Sequence, residues 1–268
     1  MSDREEKLIV FHADLDNTLI YSWKHEIGAE KTCVEVYEGR EISFMTDWSS
    51  LLLKKIREKV MFVPVTTRTK EQYDRIDLQT GIPDYALVCN GGVLLKSGKE
   101  VPEWYEESLQ LTEKSRREFS CAKSCMEQDG NRIFEVRNIR DLFLFTKSSK
   151  PYETVKRLKC SLDLTLMEIF SNGSKVYALP ARLDKGTAVR RFRDYIKADM
   201  VLAAGDSEFD FPMLKEADRA WAPEGLMKRA GADVHVVQVS DAQVFSDVLL
   251  EGVFAEVSGR KFLEKEVM

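Results

Sequence analysis

Unbroken apolar runs recur along the chain at Leu8-Ile9-Val10-Phe11, Met61 to Val65, Tyr85 to Cys89 and Met200 to Ala204. Runs without polar alternation predict strands buried on both faces, the kind found in parallel sheets. Helical spacing fills the gaps. Asp47 to Lys59 carries Leu51, Leu52, Leu53 and Ile56 behind a Thr/Asp cap, and Thr69 to Gln79 predicts a shorter helix closed by Gly81-Ile82-Pro83. Residues 33–44 alternate and turn around Glu38-Gly39, which predicts a hairpin. Hairpin aside, the first 95 residues have the strand–helix–strand–helix–strand rhythm of a parallel sheet with right-handed crossovers.

The rhythm then changes. Leu111 to Gln128 predicts one long helix, followed by strands Arg132–Val136 and Asp141–Lys147 split by Arg137-Asn138. A helix from Pro151 to Cys160 is next, with proline in its first turn. Strands Leu164–Phe170 and Lys175–Leu179 are joined by Asn172-Gly173, a sharp turn signal. From Asp184 the first rhythm resumes with helix 184–197, strand Met200–Ala204, helix 208–217, strands near Trp221 and at Val234–Val237, and helix 241–250. The economical reading is an α/β fold: a doubly wound, Rossmann-like parallel-sheet core with an inserted α+β domain. Core residues are 1–92 and 182–268, and the insert is 93–181.

Composition narrows the partners. With 40 basic and 45 acidic residues the formal net charge is −5, and no run of five Lys/Arg occurs. A nucleic-acid or anionic-membrane binder would be basic somewhere obvious, so neither partner is expected. No apolar stretch approaches a membrane span, and Met1 to Lys7 lacks the apolar core of a signal peptide. The five cysteines are odd in number and scattered, which suits a reducing, cytoplasmic setting. Cys121 and Cys125 could share a helix face, but no second Cys/His pair stands at metal-ligand spacing. Oligomeric state is left open.

The chemistry gathers where strands end. Asp14-Leu15-Asp16-Asn17-Thr18 follows the first buried strand, Thr66-Thr67-Arg68 follows the second, and Gly205-Asp206-Ser207-Glu208-Phe209-Asp210 follows the Met200 strand. Asp184-Lys185-Gly186 opens a helix after the insert. Each cluster has an ordinary reading as caps, turns or a solvated lysine. In an open parallel sheet, however, the carboxyl ends of the strands form one ligand-binding edge. Four such clusters on one edge are an improbable accident. Carboxylates gathered there repel one another unless a cation or phosphoryl chemistry employs them.

This set, Asp14-x-Asp16-x-Thr18, Thr66, Lys185 and Gly205-Asp206-x3-Asp210, resembles the four motifs of the haloacid dehalogenase (HAD) superfamily of phosphohydrolases. An insert between the second and third motifs resembles the α/β cap of the Cof-type and sucrose-phosphatase-like branch, as do the words Asn90-Gly91-Gly92 and Asp184-Lys185-Gly186-Thr187-Ala188. The resemblance implies a phosphatase with Asp14 as nucleophile and Asp16 as general acid–base. It implies Thr66 as a phosphoryl ligand and Lys185 as the group that offsets charge. Mg²⁺ would be held by Asp14, the backbone carbonyl of Asp16, Asp206 and Asp210. Thr67, Arg68, Asn90 and Lys175 are the expected substrate contacts, and Arg137 and Arg182 are further cap candidates. The implied substrate is a small phosphorylated metabolite, a sugar phosphate first. A phosphomutase of the same superfamily and a non-catalytic phosphosugar-binding protein are the alternatives.

Two positions depart from the branch pattern. Thr67 stands where a glycine is usual in the second motif, and Phe209 replaces the usual asparagine just before the last aspartate. The 33–44 hairpin is read equally as a surface element or a substrate shield. The tail 252–268 is expected to pack on the core or on a partner.

Overall fold

In the computed structural model, residues 7–226, 235–240 and 242–259 are described. The core sheet runs in the order Val236–Val239, Arg219–Pro223, Met200–Ala204, Ile9–Ala13, Met61–Pro64, and every pair in it is parallel. Val65 bridges to Leu87 in parallel register and so extends this edge to Tyr85–Val88.

Strand periodicity explains how both faces are covered. Val10, Val63, Val201 and Ala203 point to one side, where they pack with Ala188, Val189 and Phe192 of the Lys185–Ile196 helix and with Met213 and Leu214. Phe11, Ala13, Phe62, Leu202 and Ala204 point to the other, against Leu52, Leu53 and Ile56 of the Asp47–Arg57 helix and Leu249, Leu250 and Val253 of the Phe245–Ser258 helix. With helices on both sides, no strand needs a polar face, and the sequence shows none. His12 is the exception. It is fully buried, and its ring meets Phe192 edge-on at 5.5 Å.

The insert has its own sheet, antiparallel throughout, in the order Met167–Asn172, Lys175–Pro180, Phe143–Lys147, Arg137–Ile139. Helices Arg116–Glu127 and Pro151–Ser161 cover one face through Ala122, Met126 and Leu158. The opposite face, with Phe143, Tyr177 and Leu179, meets the core-side residues Val88, Val93 and Leu95. The fold is therefore an α/β parallel-sheet core carrying an antiparallel α+β cap.

Several local expectations are corrected. Tyr85–Val88 turns back at once into Val93–Lys96, an antiparallel strand that the sequence reading does not include. Its turn sets Cys89 and Asn90 left-handed, at φ +53° and +59°, ahead of Gly91 at +84°. The long helix is two, Pro102–Thr112 and Arg116–Glu127, joined by a tight 3₁₀ turn at Glu113–Ser115. Arg137 and Asn138 lie in a strand, and the turn sits at Arg140-Asp141, with φ +54° and +56°. The helix expected over 69–79 is a single turn, Lys70–Tyr73, because Ile76 bridges to Glu35 and the Asp77 amide bonds the Val34 carbonyl. The last helix runs on to Ser258 and buries Val253 and Phe254 on the core; Phe262 and Leu263 lie outside the described residues, as do Val234 and Asp241. Among the described residues no helix is long and apolar enough to cross a membrane.

Candidate active site

Strand register gathers the clusters. Ala13 pairs with Ala204 and with Pro64, so the residues that follow, Asp14, Gly205-Asp206 and Thr66, leave the sheet side by side. The Asp14 amide still donates to the Ala204 carbonyl at 3.0 Å, which fixes its departure from the strand. Asn17, left-handed at φ +62°, then folds the loop back so that the Leu19 and Ile20 amides both reach the Leu15 carbonyl.

Lys185 comes from below. Asp184 caps its helix by accepting from the Thr187 amide at 2.7 Å, which sets Lys185 in the first turn and aims it at the strand ends. Its ammonium lies 2.6 Å from Asp14 Oδ1 and 2.6 Å from Asp210 Oδ1, with all three residues buried. Two glycines permit the approach. A Cβ on Gly186 would sit 2.4 Å from the Pro212 carbonyl oxygen, and one on Gly205 would sit 2.3 Å from Asp210 Cβ. Asp210 is held in turn by the amide and hydroxyl of Ser207, at 3.0 and 2.8 Å, and Thr18 donates to Asp206 at 3.1 Å.

One carboxylate oxygen from each of Asp14, Asp206 and Asp210 lies within 4.8 Å of the others. Burial, with Asp210, Asp206 and Asp16 adding to it, pushes the Asp14 carboxyl well above the usual range, while Lys185 opposes. Burial and then Asp210 push Asp206 up to about 7. Burial alone would lower the Lys185 ammonium; Asp14 and Asp210 outweigh it and hold it above the ordinary lysine value. One lysine cannot satisfy three carboxylates, so the site has the electrostatics of a cation site.

Asp16 is arranged differently. Its carboxylate is gripped by Arg68, Nε at 2.8 Å and Nη2 at 2.7 Å. The same guanidinium reaches Glu35 at 2.9 Å. Glu35 is buried and also takes bonds from Arg75 and Ser43. Sequence reasoning did not single out Glu35: within an alternating hairpin a buried glutamate looks like any solvent-facing one.

The remaining expected residues divide. Thr66 is buried beside Asp14's strand end, and its hydroxyl accepts from the Arg68 amide at 3.2 Å. Thr67 lines a small chamber of about 50 Å³ with Asp14, Asp16, Lys185, Asp206 and Phe209. Asn90 does not reach that chamber. It is buried and ties the loops together, its side chain donating to the Leu183 carbonyl at 2.9 Å and its amide to the Thr66 carbonyl at 2.8 Å. Lys175 lines an adjoining cleft of about 790 Å³, walled by the 31–46 hairpin, the Thr67–Arg75 segment and the cap sheet. Arg137 and Arg182 are exposed and outside both spaces. Phe209 meets the cap, its ring edge-on to Tyr177 at 5.0 Å and also against Phe170.

The family model described as haloacid dehalogenase-like hydrolase matches residues 99–230. A phosphoglycolate phosphatase of Methanopyrus kandleri is 29% identical over 195 residues, 70% of this chain and 78% of that protein. The structure is similar to the sucrose-phosphatase of Synechocystis sp. in complex with sucrose and phosphate, with a TM-score of 0.64, 13% identity, and 93% and 98% of the two chains covered. It is also similar to an IMP-bound IMP-nucleotidase of Plasmodium falciparum, with a TM-score of 0.60, 14% identity, and 96% and 69% covered. At such identities the structural likenesses speak for the fold. The family match makes the chain similar, over residues 99–230, to the haloacid dehalogenase-like hydrolases.

Proposed function

We propose that the protein hydrolyses a phosphomonoester in a Mg²⁺-dependent reaction that passes through a phosphorylated aspartate. The observation that carries this reading is the Asp14, Asp206, Asp210 cluster with Lys185 at 2.6 Å from two of its members. The division into a catalytic core of 1–92 and 182–268 and a cap of 93–181 belongs to the same proposal.

The donor set suits Mg²⁺: all are hard carboxylate oxygens, and burial makes their joint ionisation costly without a cation. Asp14, Asp206 and the Asp16 main-chain carbonyl would hold it, with Asp210 direct or through water. When bound, the ion would offset charge on the phosphoryl oxygens. The protein's own groups do the rest. An Asp14 oxygen attacks phosphorus, the bond from phosphorus to the leaving oxygen breaks, and Asp16 gives that oxygen its proton. Asp16 then takes a proton from water, whose oxygen attacks phosphorus and frees the Asp14 carboxylate and inorganic phosphate. Lys185 offsets charge beside Asp14 throughout. The Thr66 hydroxyl and neighbouring amides bind the phosphoryl oxygens.

The substrate is a small phosphorylated metabolite, a sugar phosphate first. Phosphoglycolate in the name of the sequence relative and sucrose with phosphate in the structural one support that class. The test is a phosphate-release screen over phosphorylated metabolites with Mg²⁺, with product analysis. Inorganic phosphate is the expected product; an isomerised sugar phosphate would make the protein a mutase, and no turnover of any ester would overturn the reading.

A further inference from the structure

The cap face that looks onto the core is laid out in rows by its strand register. Lys175 stands opposite Asn172 on one side and Lys147 on the other, and two positions along, Tyr177 stands opposite Phe170 and Phe145. Of these six, all but Phe170 line the 790 Å³ cleft. An aromatic row therefore lies beside a row that carries two lysines.

Like charges directly opposite on neighbouring strands are unfavourable, since their Cβ atoms stand only about 5 Å apart. Neither lysine forms an ion pair with any described residue. Lys147 has only the Phe134 ring, 5.2 Å from its ammonium. Desolvation holds the Lys175 ammonium below its usual value, and Lys147 and Arg68 add to that effect while Asp16 opposes it. Arg68 and Arg75 are better matched, because they share Glu35 and Arg68 also holds Asp16, whereas Lys24 has the Trp23 ring, 5.4 Å from its ammonium. The cleft wall as a whole has five cations (Lys24, Arg68, Arg75, Lys147, Lys175) and two carboxylates (Asp16, Glu35). A surplus of three positive charges in a chain of net charge −5 is a local feature, not a reflection of composition. The cleft adjoins the chamber lined by Asp14, Lys185 and Asp206 and shares Asp16, Thr67 and Tyr177 with it.

We propose that the substrate's leaving group carries a second anionic group, a carboxylate or a further phosphoryl group, which Lys147 and Lys175 bind while Tyr177 and Phe145 pack against its carbon skeleton. This rests on the hydrolase reading above and narrows it: a neutral sugar phosphate would leave the lysine pair unmatched, whereas a phosphorylated acid or bisphosphate would complete it. Phosphate and acid are then read by different parts of the protein, the first by the core loops and the second by the cap sheet.

The experiment uses esters matched except for that group. For a carboxylate the pair is 3-phosphoglycerate and glycerol 3-phosphate; for a phosphoryl group it is fructose 1,6-bisphosphate and fructose 6-phosphate. kcat/KM is measured with Mg²⁺ for the wild type, Lys147→Met, Lys175→Met and the corresponding arginine variants. Binding of the same four compounds to Asp14→Asn is followed by calorimetry. The wild type should prefer the more acidic member of at least one pair by about tenfold or more, the worth of one good charge-assisted contact. Each methionine variant should cut that ratio by a similar factor, and arginine should restore most of it. Equal kcat/KM and equal affinity within both pairs would overturn the proposal, as would a preference untouched in both methionine variants. If no ester, p-nitrophenyl phosphate included, releases phosphate, the hydrolase reading fails by itself. Calorimetry then decides this one, a preference for the acidic member upholding it and no preference overturning it.

Discussion

Arg68 closes both oxygens of Asp16 in a two-pronged ion pair, at 2.7 and 2.8 Å, while its third nitrogen rests on the buried Glu35. Each Asp16 oxygen takes one bond from that fork and keeps its second acceptor position, and the side chain stays half exposed to the cleft. The 31–46 hairpin, through Glu35, thus takes part in fixing the guanidinium that orients Asp16.

The two aspartates of the first motif should separate by leaving group. Asp16→Asn should lower kcat by about 10²–10⁴-fold on alkyl phosphates, whose alkoxide needs a proton. On p-nitrophenyl phosphate, whose phenolate leaves without one, its first step should be nearly spared. Asp14→Asn should abolish turnover of both and leave no phosphoenzyme in a rapid-quench trap. Near-normal turnover in Asp14→Asn would remove the nucleophile assignment.

Metal removal gives a second check with a readout beyond activity. Phosphate release should vanish in EDTA and return with Mg²⁺. Mg²⁺ should also raise the wild-type melting temperature in proportion to the logarithm of its concentration above Kd. In Asp206→Asn that thermal shift should shrink or disappear, because a neutral amide replaces one of the clustered carboxylates.

Phe209 packs on Tyr177 and Phe170 across the core–cap boundary. Each aromatic pair is worth about 0.5–1.5 kcal/mol beyond its buried area. Phe209→Asn should loosen the cap, which hydrogen exchange would register as faster exchange of 167–180 and little change in the core strands. Unchanged protection there would mean that the ring does not hold the cap down.

His12 gives the pH dependence of stability. Burial lowers its imidazole to about 3, against an ordinary value of 6.5. Since the folded value is depressed, the unfolded chain binds the extra proton. Stability is then full above pH 6.5 and falls as pH drops from there toward about 3, at roughly 1.4 kcal/mol per pH unit for this one group. His12→Leu should lack that component, so urea unfolding should show the variant gaining on the wild type steadily below pH 6.5. Parallel stability–pH curves for the two proteins would contradict it.

The legible parts of the sequence were those where backbone and chemistry agree. A doubly covered strand must be apolar along its length, so Ile9–Ala13 and Met200–Ala204 announce themselves, and the polar words after them fall at one sheet edge by topology alone. Asn172-Gly173 and Glu38-Gly39 name their turns through glycine. The 140–141 turn is built from left-handed Arg and Asp without a glycine, and its place was shifted to 137–138 for that reason. Asn90, taken from its motif word as a substrate contact, is buried and braces the loops. Glu35 was invisible because its meaning lies in Arg68 and Arg75, more than thirty positions away.

The close approaches at Gly186 and Gly205 have a consequence for precision. The helix that carries Lys185 meets the Asp210 helix through main chain at Pro212, and Asp210 meets its own strand end at a residue without a side chain. At each joint one partner has no side chain, so the main chains that carry Lys185 and Asp210 are set close together without an intervening rotamer from the glycine side. The cap face is built the other way, from long lysines and aromatic rings. The molecule therefore separates what is held from what can drift: the cleft wall can be re-lined one side chain at a time, while the segments that carry Asp14, Lys185 and Asp210 stay where the backbone puts them.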